Sequence, residues 1–99
     1  MDNLTPLQKA CYVVISLPAE FSALLLHDLG PGRSDRILDE LSRLPELPWE
    51  DRQQIVAELI HLHRTELPGE WPASIEALEE LYYREPQRFL KTLQRFYLA

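Results

Sequence analysis

LQKACYVVISLPAEFSALLLHDL, residues 7–29, decides how the rest of this 99-residue chain is read. The stretch is dense in apolar residues, holds few charges and is broken by Pro18. At the helical step, Leu7, Ala10, Cys11, Val13, Val14, Ile15 and Leu17 spread over roughly 200° of a first helix. Only Gln8, Lys9, Tyr12 and Ser16 mark a polar strip on it. In a second helix, Phe21, Leu24, Leu25, Leu26 and Leu29 leave Glu20 and His27 as the clear wet edge. Helices wetted on so narrow a side either sit centrally between neighbours or present apolar surface to something outside the chain. Both readings stay open at this point.

Outward from this stretch, proline marks helix starts. Thr5-Pro6-Leu7-Gln8 has the capping-box form, with a hydroxyl at the N-cap, proline at N1 and glutamine at N3. Pro18, Pro48, Pro72 and Pro86 each precede an amphipathic run. Proline suits a first turn because its missing N–H has no helical partner there anyway. Gly30-Pro31-Gly32 and Pro68-Gly69 read as turns. The pattern predicts six helices, over about residues 6–16, 18–28, 33–43, 48–64, 72–83 and 86–97. No segment alternates with a period of two between hairpin turns, so no strand is predicted. The third helix carries a stripe of Ile37, Leu38, Leu41 and Leu44. The fourth carries Trp49, Ile55, Val56, Leu59, Ile60 and Leu62. The fifth offers Ile75, Leu78, Leu81 and Tyr82, and the sixth Phe89, Leu90, Leu93, Phe96 and Tyr97. The expected fold is all-α, a single domain over residues 1–99.

Composition bounds the function. The net charge of −6 argues against nucleic acid or an anionic membrane surface as the general partner. No run is long and apolar enough to span a bilayer. The first residues lack the basic region of a signal peptide, and the single cysteine, Cys11, cannot form an internal disulfide. A cytoplasmic location is expected.

The residues that set the helices also carry a family resemblance. Gln8-Lys9-Ala10, an apolar stretch, Ser16-Leu17 and then LLLHDLGPGRSDRILDELSRLPELPWEDRQQIVAEL, residues 24–59, resemble the flagellar motor switch protein FliG in its N-terminal domain. The likeness covers about residues 7–62. Pro18 stands where that family usually has a glycine after the Ser-Leu step. Arg84-Glu85-Pro86-Gln87 matches a Glu-His-Pro-Gln step of the family's middle domain at Pro86 and Gln87. The leucine-and-proline helical repeat is also similar to the cytosolic N-terminal domain of MgtE magnesium transporters.

The resemblance implies a right-handed superhelix or bundle of about six short helices with no catalytic centre. In the FliG family that domain clasps the cytoplasmic tail of the membrane-ring protein. It implies a non-enzymatic adaptor of a flagellar motor switch or a related secretion basal body, peripheral to the inner face of the membrane through its partner. A tail helix laid in an apolar groove contacts it at i, i+3, i+4 and i+7. Phe21, Leu24, Leu25 and Leu26 are the candidate contacts. The alternatives are an MgtE-like regulatory domain and a self-assembling scaffold, since FliG-like domains stack in rings.

Other candidate chemistry reads as structural. His61 and His63 are two apart and diverge on a helix, so they lack metal-chelating spacing; His27 is remote in sequence. His63 falls in an apolar arc, where histidine is most often a hydrogen-bonded core residue, with pH sensing as the sharper reading. Cys11 lies among apolar neighbours, as a small buried hydrophobe does. Asp39-Glu40 and Glu79-Glu80 are adjacent on helices and diverge, which does not suit a general acid/base pair. Gly30 and Gly32 lack the lysine and spacing of a phosphate loop. No cofactor and no enzymatic activity are expected. One charge pattern stands apart. Residues 66–80 hold Glu66, Glu70, Glu76, Glu79 and Glu80 and no base, whereas residues 84–99 hold Arg84, Arg88, Lys91 and Arg95 against Glu85 alone. Arg88, Lys91 and Arg95 share one face of the sixth helix. They read either as a solvated face or as a contact for an acidic partner segment or anionic headgroups.

Overall fold

Pro6, Pro18, Pro31, Pro48 and Pro86 each stand at or just before a helix start in the computed structural model, which describes residues 4–64 and 75–98, with the side chains of residues 63 and 64 excepted. Six α-helices follow in order: α1 Pro6–Ser16, α2 Ala19–Leu29, α3 Pro31–Leu41, α4 Trp49–Arg64, α5 Ile75–Arg84 and α6 Pro86–Tyr97. No strand occurs among the described residues. The turn at Pro68-Gly69, the start at Pro72, Glu66, Glu70 and the side chain of His63 lie outside them.

The capping box of α1 is formed in full. The Gln8 amide donates to Thr5 Oγ1 at 3.1 Å, and the Thr5 amide donates to Gln8 Oε1 at 3.0 Å. Pro31 and Pro86 stand in the first turns of α3 and α6. The Pro48 carbonyl accepts from Asp51 and Arg52 to start α4. The third helix begins at Pro31, earlier than its hydropathy stripe suggests, because proline is pre-set for a first turn. Gly30 alone separates α2 from α3, at φ 87° and ψ 163°. That conformation favours glycine, and it reverses the chain without a loop. The Ser34 hydroxyl then donates across the hairpin to the Leu26 carbonyl.

One cluster of buried residues draws on all six helices. Ala10, Cys11, Tyr12, Val13 and Val14 are all buried. Five successive residues go right round a helix, so α1 has no free side along this length. It packs against α2, α3, α4 and α6. Over residues 10–14 the apolar surplus of the first helix is therefore spent inside the domain, while Ile15 beyond it stays partly exposed. α2 packs against α1, α3 and α6 and buries only Leu25 and Leu29 completely.

Polar ties join the helices where tyrosines enter the core. Tyr12, part of the polar strip in the sequence reading, is buried, and its hydroxyl donates to the Pro45 carbonyl. This pins the 42–48 link to α1. Tyr82 of α5 donates to Asp28 Oδ2 of α2 at 2.8 Å, with its ring between Phe21 and Phe89. Tyr97 of α6 donates to Glu58 Oε1 of α4 at 2.7 Å, and Lys9 of α1 reaches the same carboxylate at 3.1 Å. Lys9 beside Glu58, with Ser16 beside Trp49 and Arg52, sets α1 and α4 antiparallel. No helix among the described residues is long and apolar enough to cross a membrane.

Candidate protein-docking site

Tyr12 and Ile15 on α1, Leu41 on α3, and Leu44 and Leu47 in the 42–48 link line a shallow trough of about 550 Å³. Its position follows from the sequence. α3 stops at Leu41, and the two prolines at 45 and 48 keep the link from coiling into α4. After the turn at Ser42 and Arg43 the link therefore runs without regular structure, and its leucines are only partly buried. Leu41, Leu44 and Leu47 are partly buried against the core, while Ile15 keeps 44% of its surface exposed.

Arg52, in the first turns of α4, lines the trough together with Glu46, and also lines a smaller depression with Ser16, Trp49, Val56, Ile75 and Glu76. Its guanidinium carbon lies 5.7 Å from the centre of the Trp49 ring, a cation–π distance. Its Nε is buried without a hydrogen-bond acceptor among the described residues. No carboxylate among the described residues forms an ion pair with it. Trp49 itself is 51% exposed, although the sequence stripe places it inside. Burial holds the Tyr12 phenol above its ordinary value, against a smaller opposing pull from the positive charge of Arg52.

The four contacts suggested by the resemblance divide. Leu25 has no exposed surface and belongs to the core. Phe21 and Leu26 are half-buried and pack against that core. Leu24 alone stands in solvent, at 54% exposure. Three of the four are thus committed wholly or partly to the domain's own packing. On α6, Arg88 is partly buried and reaches Glu85 at 3.4 Å. Lys91 and Arg95 are exposed, and Arg95 lies over the Phe96 ring at 5.3 Å. This basic face is at the opposite end of α1 and α4 from the trough, since Phe96 lines a hollow with Leu4, Lys9 and Leu62.

Other titratable groups are accounted for locally. His27 and His61 are exposed, and no group of three metal-binding side chains forms among the described residues. Cys11 is buried, its thiol facing the Ile37 carbonyl at 3.7 Å. Burial, with the charge of Glu40 adding to it, pushes that thiol up to about 11, which keeps it from being a nucleophile at neutral pH.

A scan against family models, a search of curated proteins and a search of solved structures found no match. The trough itself escaped the sequence reading. Its signal was the pair of prolines around Leu47, which prevents the link from wrapping α1 as a helix would.

Proposed function

We propose that this chain is a non-enzymatic protein-interaction module whose trough takes up one amphipathic helix of a partner. The observation that carries this reading is the row of accessible apolar side chains, Ile15, Leu41, Leu44, Leu47 and Trp49, gathered at one end of the domain. Exposed apolar surface gathered in one place marks an interaction site more often than scattered single residues do. A trough between helices and a non-helical link suits a helix presenting anchors at i, i+3, i+4 and i+7. In the flagellar form of this reading, suggested by the FliG-like residues 7–62, that helix is the cytoplasmic tail of a membrane-ring protein. The chain then works as an adaptor at the inner face of the membrane.

The test is capture from a lysate of the source organism with the tagged chain, read by mass spectrometry. Ile15→Asp and Leu24→Asp are run beside the parent. Both positions are exposed, so both variants are expected to keep the parent's circular dichroism. Loss of a captured protein with Ile15→Asp alone supports the trough. Loss with Leu24→Asp alone moves the contact to α2. Identical capture by all three removes the reading. A membrane-ring protein among the species lost supports the flagellar form.

A further inference from the structure

The link between α3 and α4 is fastened to the domain at one polar point. Among the described residues, the backbone of residues 45–47 makes no hydrogen bond to other backbone. The Arg43 and Leu44 amides close the turn before it, and the Pro48 carbonyl starts α4 after it. Between these ends, the one tie among the described residues is the hydrogen bond from the Tyr12 hydroxyl to the Pro45 carbonyl. Pro45 and Glu46 are exposed, and only Leu44 and Leu47, partly buried, pack inward. A segment with few buried contacts and few backbone hydrogen bonds opens locally at low free energy. Its ends are fixed by α3 and α4, so a lifted link stays beside its seat and closes a short loop when it returns.

Leu41, Leu44 and Leu47 recur every three residues and line the trough with Tyr12 and Ile15 of α1. Apolar side chains about one turn apart are also what a docking helix presents to a groove. We propose that the link is a self-inhibitory strap: Leu44 and Leu47 occupy, from within the chain, part of the seat of the partner helix, and the Tyr12–Pro45 hydrogen bond holds them there. Opening of the strap, with the six helices still packed, turns the shallow trough into a full groove. The inference rests on the helix-docking reading and adds its regulation. A site whose competent form is a minor one binds more weakly by the fraction open, so loosening the strap tightens binding by the same factor.

Methyl relaxation dispersion on the full chain, which reads exchange on the μs–ms scale, tests the motion. Exchange is expected at Leu44 and Leu47, with flat profiles at the buried Val13, Leu25 and Leu78. Tyr12→Phe keeps the ring and removes the tie, and it should raise the open population about fivefold. Pro45→Ala keeps the carbonyl and gives the open strap more freedom, and it should raise that population about threefold. The probe of uptake is a synthetic helical peptide with leucines at i, i+3, i+4 and i+7 and alanine, lysine and glutamate elsewhere. Its affinity should rise by the same factor as the open population in each variant. Gly30→Ala, which lowers global stability away from the strap, should change neither value. Flat profiles at Leu44 and Leu47 in both the parent and Tyr12→Phe overturn the strap, and peptide binding then leaves the docking reading in place. A strap that opens more in the variants while peptide affinity stays constant overturns the inhibition. No binding of the peptide by any variant overturns the docking reading and the inhibition with it.

Discussion

Glu58 on α4 receives the Tyr97 hydroxyl of α6 and the Lys9 ammonium of α1, so one carboxylate ties three helices. Burial alone pushes its carboxyl up, but the hydrogen bonds from Tyr97 and Lys9 and the charge of Lys9 outweigh this, and the net displacement is downward. A carboxyl held below its unfolded value contributes stability that is present above that value and is lost as the pH falls through the folded one. The group is about a third exposed, so solvent screening limits the contribution to about 1 kcal/mol. Glu58→Gln is therefore expected to lower stability to urea by about that amount from pH 7 to pH 5. The gap between the two proteins should close below about pH 4.5, where the unfolded carboxyl protonates. A gap that persists unchanged at pH 3 means the carboxylate charge contributes nothing. On the alkaline side the signs reverse. Burial and the facing carboxylates hold Tyr97 and Tyr82 above their ordinary value. Stability is then full below about pH 10 and drains above it as the unfolded phenols ionise.

At the scale of elements, the α2–α3 hairpin turns on a single residue. Gly30 has space around it, with nothing within 4 Å of an added Cβ, but its φ of 87° is strained for any L side chain. Gly32 has the same space, and its φ lies outside the left-handed range, within the first turn of α3. The two positions separate backbone strain from crowding. Gly30→Ala is expected to destabilise by about 1–3 kcal/mol. Gly32→Ala is expected to stabilise by about 0.5 kcal/mol, through helix propensity and a less free unfolded chain. Urea midpoints moving the same way for both would show that the hairpin does not depend on this conformation. Helix starts were legible because Thr5, Gln8 and the prolines act locally: a cap and a missing N–H need no distant neighbour. Burial was less legible. Periodicity gives an apolar arc, but which part of that arc is covered depends on which helices arrive. Tyr12 is inside because the Pro45 carbonyl is there to accept its hydroxyl. Ile15, Leu38, Trp49 and Phe96 lie on their apolar stripes yet stay about half exposed, because no element among the described residues covers those parts of the stripes. Arg52 was invisible as a site residue, since an arginine in an otherwise acidic first turn reads as ordinary charge alternation.

For the whole molecule, the consequence of a central α1 is that its interior can be reached only by taking the domain apart. Cys11 has no exposed surface, faces Ile37 of α3, and sits on a helix clasped by α2, α3, α4 and α6. The thiol is a reporter of the opening that exposes it. With its ionisation pushed up to about 11 in the folded chain, labelling at pH 8 proceeds through opened molecules, where the thiolate forms readily. The one core cluster spans all six helices, so the opening that frees Cys11 is expected to be global unfolding. Under fast reclosing, the free energy from the labelling rate with an aromatic disulfide reagent should equal that from urea unfolding followed by circular dichroism. Phe89→Ala provides the second arm. Phe89 is fully buried on α6 against Tyr82, well away in sequence from Cys11, and its truncation should cost about 3–5 kcal/mol. That loss should appear undiminished in both measurements, raising the labelling rate by two orders of magnitude or more. Labelling of the parent that runs much faster than global stability permits, and that Phe89→Ala leaves unchanged, would instead locate a local opening in which the α2–α3 hairpin lifts from α1 while α4, α5 and α6 stay packed.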